Sequence, residues 1–391
     1  MVRYLLFLIL LLSLPLQVKA ENFEDWKKTF VKQATEEGID ADFMQKILPQ
    51  IQLLPSVVQS DRKQPEFHAT FWDYMDKRIT ENKIIQGKKQ YEKYKPILHK
   101  AAQKYGVPPH YILAFWGLET NFGTYMGNVD TLSALATLAY DKRRRTFFTK
   151  QLITFIKIMQ DNQLDNVKGS WAGAFGNFQF MPTTFAAYAV DGDNDGRIDL
   201  VHSVPDAVES AAHYLSTIGW KNTQRWGREI KIPSDVNWSQ IYLETPISLK
   251  QWADLGVVPA DGSKWDSNSM DMMAELIMPM GIHGPTFLVY PNFRVMMKWN
   301  KSILYALSVG LLADRISGQE TRFYAPRQNN HFSYEQAKQL QQKLSEKGYY
   351  HGKIDGDLGK KTRRSIMDFQ RKNNLPIDGY ATEELLNKLN S

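Results

Sequence analysis

The chain has 391 residues, of which 43% are hydrophobic and 23% are charged, a composition typical of a globular protein of about two or three domains. It contains no cysteine, which excludes disulfides, thiol catalysis, thiolate metal sites and lipidation at an N-terminal cysteine. The net charge of +6 is modest and spread along the chain, so it favours attraction to a polyanionic matrix without identifying one.

Residues 1–20 have the pattern of a cleavable secretory signal peptide. A positively charged start precedes an apolar run over residues 4–16, and small residues, Val18 and Ala20, stand at the positions that determine cleavage. The apolar run is shorter than the ~20 residues that span a bilayer. We therefore predict an exported protein whose mature chain begins at Glu21, with an uncleaved anchor as the alternative. No later segment is apolar enough to span, so no membrane span is expected after cleavage.

Residues 21–105 are predicted to be mainly helical and to buttress the region that follows. Hydrophobic residues recur there at helical spacing in two places, at Phe23, Trp26, Phe30 and Val31 and again at Phe71, Tyr74, Met75 and Ile79.

The next helix pattern begins at a pair of prolines and ends in a carboxyl. Pro108 and Pro109 suit a helix start, because a missing N–H costs nothing there. Helical spacing then places four side chains on one face, namely Ile112, Phe115, Trp116 and Glu119. Residues 121–123 predict the end of this helix.

The surroundings predicted for Glu119 favour its neutral form. Apolar burial disfavours the anion, and so does the negative end of the helix dipole, so both raise the pKa of this carboxyl. A carboxyl held protonated near neutral pH is the general acid that a glycosidase needs. A Glu119 that turns outward to solvent is the alternative.

An acidic loop follows the pattern of an EF-hand. Carboxylates stand at loop positions one, three, five and nine, which are Asp191, Asp193, Asp195 and Asp199. Position twelve, where an EF-hand has a bidentate Glu, is His202. The four aspartates are the candidate ligands of a structural calcium ion. The alternative is an Asp/Gly-rich turn stabilised by its own side-chain hydrogen bonds.

The chain changes character after residue 220. Residues 221–290 hold short β-prone pieces among many turn residues, which predicts a small β-containing insertion. Helix patterns return over residues 293–317. The first large unit, residues 21–317, is therefore predicted to be mainly α (α+β).

The last part of the chain is predicted to be a separate module behind a linker. Residues 318–332 are polar and poorly patterned, which is typical of a linker. Residues 333–391 begin with a capping box made by Ser333 and Gln336, and three helix faces follow.

Three separated blocks resemble the lytic murein transglycosylases of the membrane-bound B type. They are GVPPHYILAFWGLETNFG with LSALATLA (106–139), KGSWAGAFG running into QFMP (168–182), and YPNF followed by WN (290–300). The resemblance covers residues 22–316 in the family's order. It implies a lysozyme-like fold, a catalytic domain at residues 21–317 and cleavage of peptidoglycan glycan strands.

The tail resembles the small three-helix peptidoglycan-binding domain that is often fused to wall enzymes. The residues that carry this resemblance include Gly348-Tyr349-Tyr350, Ile354-Asp355-Gly356, Phe369-Gln370 and Asp378-Gly379. It implies that residues 333–391 bind peptidoglycan.

The resemblance also implies a reaction that needs a single carboxyl, which is Glu119 by its place in the motif. Such enzymes break the bond between N-acetylmuramic acid and N-acetylglucosamine without water. The carboxyl protonates the leaving oxygen and then, as a base, takes the proton of the muramic C6 hydroxyl, which attacks C1 and closes a 1,6-anhydro ring. The substrate's N-acetyl group takes the place of a second carboxylate. Asp130 and Asp141, the nearest acids downstream, are kept as alternatives.

Five further residues are assigned to the substrate by their positions in the family motifs: Ser170, Gln179, Tyr214, Trp299 and Asn300. Ser170 and Gln179 are expected to hydrogen-bond sugar or N-acetyl groups. Asn300 is expected beside the reacting carbon and Tyr214 near the catalytic acid. Trp299 stands where the family often has Tyr, a change that preserves stacking but removes a hydroxyl. An ordinary cap or turn role is the alternative for each polar residue.

The sequence thus predicts a peptidoglycan lytic transglycosylase that acts in cell-wall remodelling or turnover and is periplasmic, not a lipoprotein. A hydrolytic muramidase of the same fold and a non-catalytic wall-binding protein are the alternatives. Glycan strands of peptidoglycan are the predicted partner, and other cell-wall enzymes are candidate partners. No nucleic acid is expected, because no recognition motif accompanies the basic run at residues 143–145. No cofactor is expected to be required, and any calcium ion in the acidic loop would be structural.

Overall fold

A computed structural model of the protein describes residues 22–62, 70–241, 245–319, 323–327 and 332–390. The predicted signal peptide and part of the predicted linker lie outside these ranges. Along the described chain, no helix is both long and apolar enough to cross a membrane.

The N-terminal region consists of short helices with defined starts. Four helix starts are capped by a side-chain oxygen that accepts a first-turn backbone N–H, from Asn22, Asp40, Thr70 or Thr80. Trp26 and Phe30 are buried, as their helical spacing predicted. The helices are α1 (Phe23–Glu36), α2 (Ala41–Ile47), α3 (Pro55–Arg62), α4 (Phe71–Arg78), α5 (Glu81–Lys93) and α6 (Lys95–Tyr105).

The helix that carries Glu119, α7 (Pro109–Thr120), is packed on all sides. Pro108 precedes it in an extended conformation, and Asn121 ends it in the left-handed region with a φ of 50°. Both predicted ends are therefore confirmed. The sequence predicted one apolar face on this helix, but burial covers its whole circumference. Every residue of α7 except Pro109, His110 and Glu119 is buried.

Further helices and a two-stranded ribbon complete the region around α7. In the ribbon, β1 pairs antiparallel with β2, so that Val129 lies opposite Gly169. A Cβ on Gly127 would lie 2.1 Å from the Gly169 carbonyl oxygen, so this close approach requires glycine. The elements are α8 (Thr131–Tyr140), α9 (Arg145–Asp161), α10 (Pro182–Tyr188), α11 (Val204–Thr217), β1 (Val129–Asp130) and β2 (Lys168–Gly169).

The predicted β-containing insertion is present as an antiparallel sheet with the strand order β4-β6-β8-β3-β5. Its register places Glu229 opposite Phe287. A separate hydrophobic cluster, which includes Trp252 and Leu288, packs on one face. The elements are β3 (Gly227–Lys231), β4 (Ile247–Ser248), α12 (Leu249–Asp254), β5 (Val258–Pro259), β6 (Met273–Ile277), β7 (Pro279–Ile282) and β8 (Thr286–Val289).

Helix returns after the sheet as α13 (Pro291–Trp299) and α14 (Ile303–Ile316), and α14 packs along α7. The tail forms α15 (Tyr334–Glu346), α16 (Lys360–Lys372) and α17 (Glu383–Asn390).

The tail has a hydrophobic core of its own, which includes Leu340, Phe369 and Leu386. The predicted capping box of Ser333 and Gln336 is confirmed at the start of α15. The predicted fold class, mainly α with a small β-containing insertion and three helices at the C-terminus, is confirmed.

Candidate active site

Two side chains from the C-terminal part of the domain donate hydrogen bonds to the Glu119 carboxyl. Trp299 Nε1 lies 3.0 Å from Glu119 Oε1. The Tyr305 hydroxyl donates a short hydrogen bond to the same oxygen. Because both donors act on Oε1, the proton of a neutral carboxyl is left to Oε2.

The environment of Glu119 favours a protonated acid that can still ionise. Burial raises the pKa of this carboxyl, as the sequence predicted. The hydrogen bonds from Tyr305 and Trp299 oppose that rise, and so does the charge of Arg78, because all three stabilise the anion. Burial also raises the pKa of Tyr305 well above its ordinary value, so this hydroxyl stays a donor. The site can therefore both release and take up a proton at Glu119.

Arg78, at the end of α4, provides the positive charge behind Glu119. Its Nη1 donates to the Leu118 carbonyl at 3.4 Å, and its Cζ lies 5.3 Å from the centre of the Tyr74 ring. Sequence reasoning assigned no role in the site to Arg78 or Tyr305. The only sequence signal for Tyr305 was its hydroxyl within the apolar pattern of α14. No feature of the sequence indicated a role in the site for Arg78.

An aromatic wall stands beside the carboxyl. The Trp299 ring packs on Phe115, with ring centres 4.5 Å apart, and on Tyr214, with centres 5.0 Å apart. Tyr214 is therefore joined to Glu119 through one ring, that of Trp299, and its contact with substrate stays a prediction. Trp299 was expected to stack, and its indole N–H adds a hydrogen bond that had not been foreseen.

Ser170 and Gln179 lie on the turns that follow β2. Ser170 Oγ accepts the Ala174 N–H at 3.0 Å. Gln179 Nε2 donates to the carbonyl oxygens of Met126 and Gly176 at 2.9 and 3.1 Å. Each side chain therefore has a role in the local turns, and a role in binding sugar stays a prediction.

The segment that carries Gln179 is attached to the end of α7. Asn177 Oδ1 accepts the indole N–H of Trp116 at 2.9 Å, and its carbonyl accepts the Thr120 hydroxyl at 2.7 Å. Thr120 follows Glu119 directly, so this loop is held against the carboxyl-bearing turn.

Asn300 follows Trp299 at the break between α13 and α14. Its Oδ1 accepts the Ser302 N–H at 3.1 Å, and the residue is exposed. It follows Trp299 directly in the chain, and its contact with substrate stays a prediction.

The two acids kept as alternatives to Glu119 have structural partners. Asp130 caps α8 by accepting the Ser133 N–H at 2.7 Å. Asp141 forms an ion pair with Arg62 at 2.9 Å. Neither acid is among the groups that shift the pKa of Glu119 in the described chain.

The acidic loop brings together a set of carboxylates that differs in part from the predicted one. Oxygens of Asp191, Asp193 and Asp206 lie within 4.8 Å of one another. Among the described residues, Asp195 and Asp199 are outside this group. Asp206 lies beyond the twelve-residue EF-hand pattern, in the first turn of α11, so the spacing of the loop did not predict it.

The loop geometry fits a hard cation. Asp191 accepts the backbone N–H groups of Asn194, Asp195 and Gly196 at 2.6–3.2 Å, which shapes the loop. Burial raises the pKa of Asp206, and a bound cation would favour its charged form. Clustered carboxylate oxygens are ligands that calcium prefers.

Comparison with known families agrees with the sequence resemblance. Residues 22–314 match the transglycosylase SLT domain, and residues 333–389 match a putative peptidoglycan binding domain. The chain is 32% identical over 303 residues to membrane-bound lytic murein transglycosylase B of Escherichia coli (strain K12), a match that covers 73% of this chain and 81% of that protein.

Solved structures extend the similarity to the whole described architecture. SltB3 from Pseudomonas aeruginosa, in complex with NAG-anhNAM-pentapeptide, is 38% identical, with a TM-score of 0.88 over 95% of this chain and 100% of that one. The Escherichia coli lytic transglycosylase Slt35, in complex with calcium, is 31% identical, with a TM-score of 0.64 over 74% of this chain and 92% of that one. The predicted lysozyme-like fold is thereby confirmed.

Proposed function

The chain belongs to the family of the transglycosylase SLT domain, and from that membership we propose that it is a peptidoglycan lytic transglycosylase. It cleaves the β-1,4 bond between N-acetylmuramic acid and N-acetylglucosamine without water and leaves a 1,6-anhydromuramic end. Relatives named as lytic transglycosylases support this, and so does the anhydro sugar that SltB3 holds in its complex.

The observation that carries the proposal is the state of the Glu119 carboxyl. Burial raises its pKa and so favours the protonated form, and the two donors on Oε1 leave Oε2 as the oxygen that carries the proton. In the first step this proton passes to the glycosidic oxygen as the bond to C1 breaks. Such transfer by a positioned acid contributes about 10²–10⁴ in rate.

The second step uses the same group as a base. The Glu119 carboxylate is stabilised by the hydrogen bonds of Tyr305 and Trp299 and by the charge of Arg78. It takes the proton of the muramic C6 hydroxyl while that oxygen bonds to C1, which restores the neutral acid. The family resemblance implies that the substrate's own N-acetyl group takes the place of a second carboxylate, and no carboxylate is among the groups that shift the pKa of Glu119 in the described chain.

Mass spectrometry of the products tests the proposal. Purified enzyme is incubated with sacculi, and the released muropeptides are compared with those of a known hydrolytic muramidase. Products one water lighter than the hydrolytic ones are expected. Hydrolytic products would establish the muramidase alternative, and no release by folded protein would favour a non-catalytic wall-binding protein.

We propose that the tail and five further residues of the catalytic domain also bind peptidoglycan. Residues 333–391 bind peptidoglycan, a role supported by the match of this segment to a putative peptidoglycan binding domain. Ser170, Gln179, Tyr214, Trp299 and Asn300 contact the glycan in the catalytic domain. An enzyme of this specificity acts in the periplasm, so residues 1–20 serve as its export signal.

We further propose that the acidic loop holds a structural calcium ion through Asp191, Asp193 and Asp206. The Slt35 structure in complex with calcium and the clustered carboxylates support this. The ion would brace the loop against the start of α11. It has no part in the proton transfers at Glu119.

A further inference from the structure

Residues 323–327, here called the anchor segment, lie within the predicted linker and pack against the catalytic domain. The Phe323 ring meets those of Phe71 and Trp72 edge-on, with ring centres 5.4 and 4.9 Å apart. Phe323 is partly buried against the main hydrophobic core. This end of the segment is therefore attached to α4.

Arg327 attaches the other end of the anchor segment to the same helix. Its guanidinium lies over the Trp72 ring, 5.0 Å from the centre, and its Nη2 lies 2.5 Å from Asp76 Oδ2. The ion pair is more than half exposed on both sides and is weak by itself. The contact with the face of a buried Trp adds a cation–π attraction.

The backbone of the anchor segment is held from the opposite side by β3. The Glu229 carboxylate accepts the N–H groups of Tyr324 and Ala325 at 3.1 and 2.9 Å. Hydrogen bonds to a charged acceptor are stronger than neutral ones. The segment is thus fixed between α4 and the sheet.

The far face of α4 meets the turn that carries Glu119. Positions two apart on a helix point in nearly opposite directions, so Tyr74 and Arg78 face away from Trp72 and Asp76. Arg78 donates to the Leu118 carbonyl, next to the acid. Because α4 has only eight residues, its position depends on packing and not on its own helical stability.

We propose that the anchor segment is a positioning element for the catalytic acid. Phe323 and Arg327 hold one face of α4, and α4 in turn sets Arg78 against the end of α7 and the Glu119 carboxyl. This inference rests on the proposed function, in which Glu119 cycles between acid and base. The contacts of Phe323 and Arg327 described above are with α4, so the role proposed for them is to position the acid.

Displacement of α4 changes the charge around the acid. Among the described residues, the ionisable groups that interact with Glu119 are Tyr305 from α14 and Tyr74 and Arg78 from α4, and Lys83 of α5 interacts with Arg78. Arg78 is the cation that lowers the pKa of Glu119 against the effect of burial. If α4 moves away, the acid keeps its proton to higher pH and its carboxylate is less stabilised during turnover.

The test uses full-length variants on a short soluble glycan, with kcat, KM and the pH profile as readouts. Arg78→Met should lower kcat about tenfold, the equivalent of one pKa unit, and move the alkaline limb to higher pH. Phe323→Ala/Arg327→Ala should lower kcat about threefold to tenfold and move the limb in the same direction, with KM unchanged. Arg78→Lys should restore most of the activity. Lys77→Ala, an exposed neighbour on α4, is the matched control and should behave as wild type.

A double variant with the kcat and alkaline limb of wild type would overturn the proposal, even if its melting temperature fell. Weaker binding to sacculi as the only change would also overturn it. If the double variant does not fold, Phe323→Ala alone is measured instead, and an unmoved alkaline limb in that variant counts against the proposal. Wild-type products are analysed in parallel, so a wild type that makes no anhydro product would defeat the proposed function and not this inference.

Discussion

Trp299 donates its indole N–H to the carboxyl of Glu119 at 3.0 Å, although 180 residues separate the two in the chain. The Tyr305 hydroxyl acts on the same carboxyl oxygen. These two donors oppose the effect of burial on the pKa of Glu119. The surroundings therefore favour the neutral acid without preventing it from ionising, which a group that acts first as acid and then as base requires.

Glu119→Gln should abolish glycan cleavage while the fold and wall binding are retained. The amide has nearly the same shape but can neither deliver nor remove the proton, so the loss should exceed the ~10²–10⁴ typical of general acid–base catalysis. Turnover of purified sacculi is the measurement, with the exposed Glu37→Gln as a control that keeps wild-type activity. Near-normal turnover by folded Glu119→Gln would contradict the assignment.

The same variant should change stability in a pH-dependent way. Burial raises the pKa of Glu119 in the folded state above that of the unfolded chain. The stability contributed by its neutral form is therefore fully present below the unfolded pKa and is lost as pH rises through the folded value. Glu119→Gln, which stays neutral, should melt higher than wild type at neutral and alkaline pH, and the difference should vanish at acid pH. An equal difference at all pH values would argue against a raised pKa.

Tyr305→Phe should lower kcat by about tenfold and move the alkaline limb of the pH profile upward. Loss of the hydroxyl removes a hydrogen bond that stabilises the Glu119 carboxylate, so the pKa of Glu119 rises and its protonated form persists to higher pH. Ring packing is retained, so the melting temperature should change little. Trp299→Phe tests the second donor in the same way, and a downward shift in either variant would contradict the geometry described.

The raised pKa of Glu119 could be predicted from the sequence because the signals for it are local. A proline pair, an apolar run and a helix stop all lie within the residues that precede and follow it. Tyr305 and Arg78 could not be predicted, because each acquires its role only when α14 and α4 pack against α7. The sheet insertion and the tail helices could be predicted, since composition and periodicity change where they begin.

The acidic loop shows the same division between local and tertiary signals. Asp191 and Asp193 could be recognised from their spacing, and the structure places them together. Asp206 could not be recognised, because it lies beyond the twelve positions of the EF-hand pattern and comes close to Asp191 and Asp193 only in the folded chain. Asp206 adds to the group a carboxylate that lies beyond the twelve-residue pattern, whose last position is His202, and calcium binding by the loop stays a prediction.

Calcium should raise the melting temperature and leave activity nearly unchanged. Asp193→Asn and Asp206→Asn should each reduce the calcium-dependent shift, since each removes one negative charge from the group. The measurement is a melting curve with calcium and with chelator, alongside turnover of a soluble glycan. Metal-free protein that lost all activity at an unchanged melting temperature would show that the ion is catalytic.

Two truncations should separate the tail from the anchor segment. Removal of residues 328–391 should leave cleavage of short soluble glycans nearly unchanged but slow the digestion of sacculi. The tail has its own hydrophobic core, and its contact with β7 includes a hydrogen bond from the Ile282 N–H to Asp378 at 3.1 Å. Its benefit comes from tethering, which raises the effective concentration of enzyme at the polymer without changing bond cleavage.

Removal of residues 318–391 takes the anchor segment away as well, so turnover of the short glycan should also fall. Both truncated proteins and the full chain are compared on both substrates, with a melting curve for each. If the shorter deletion impaired both substrates equally at an unchanged melting temperature, the tail itself would contribute to the active site. If the two deletions behaved alike on the short glycan, residues 323–327 would have no part in positioning Glu119.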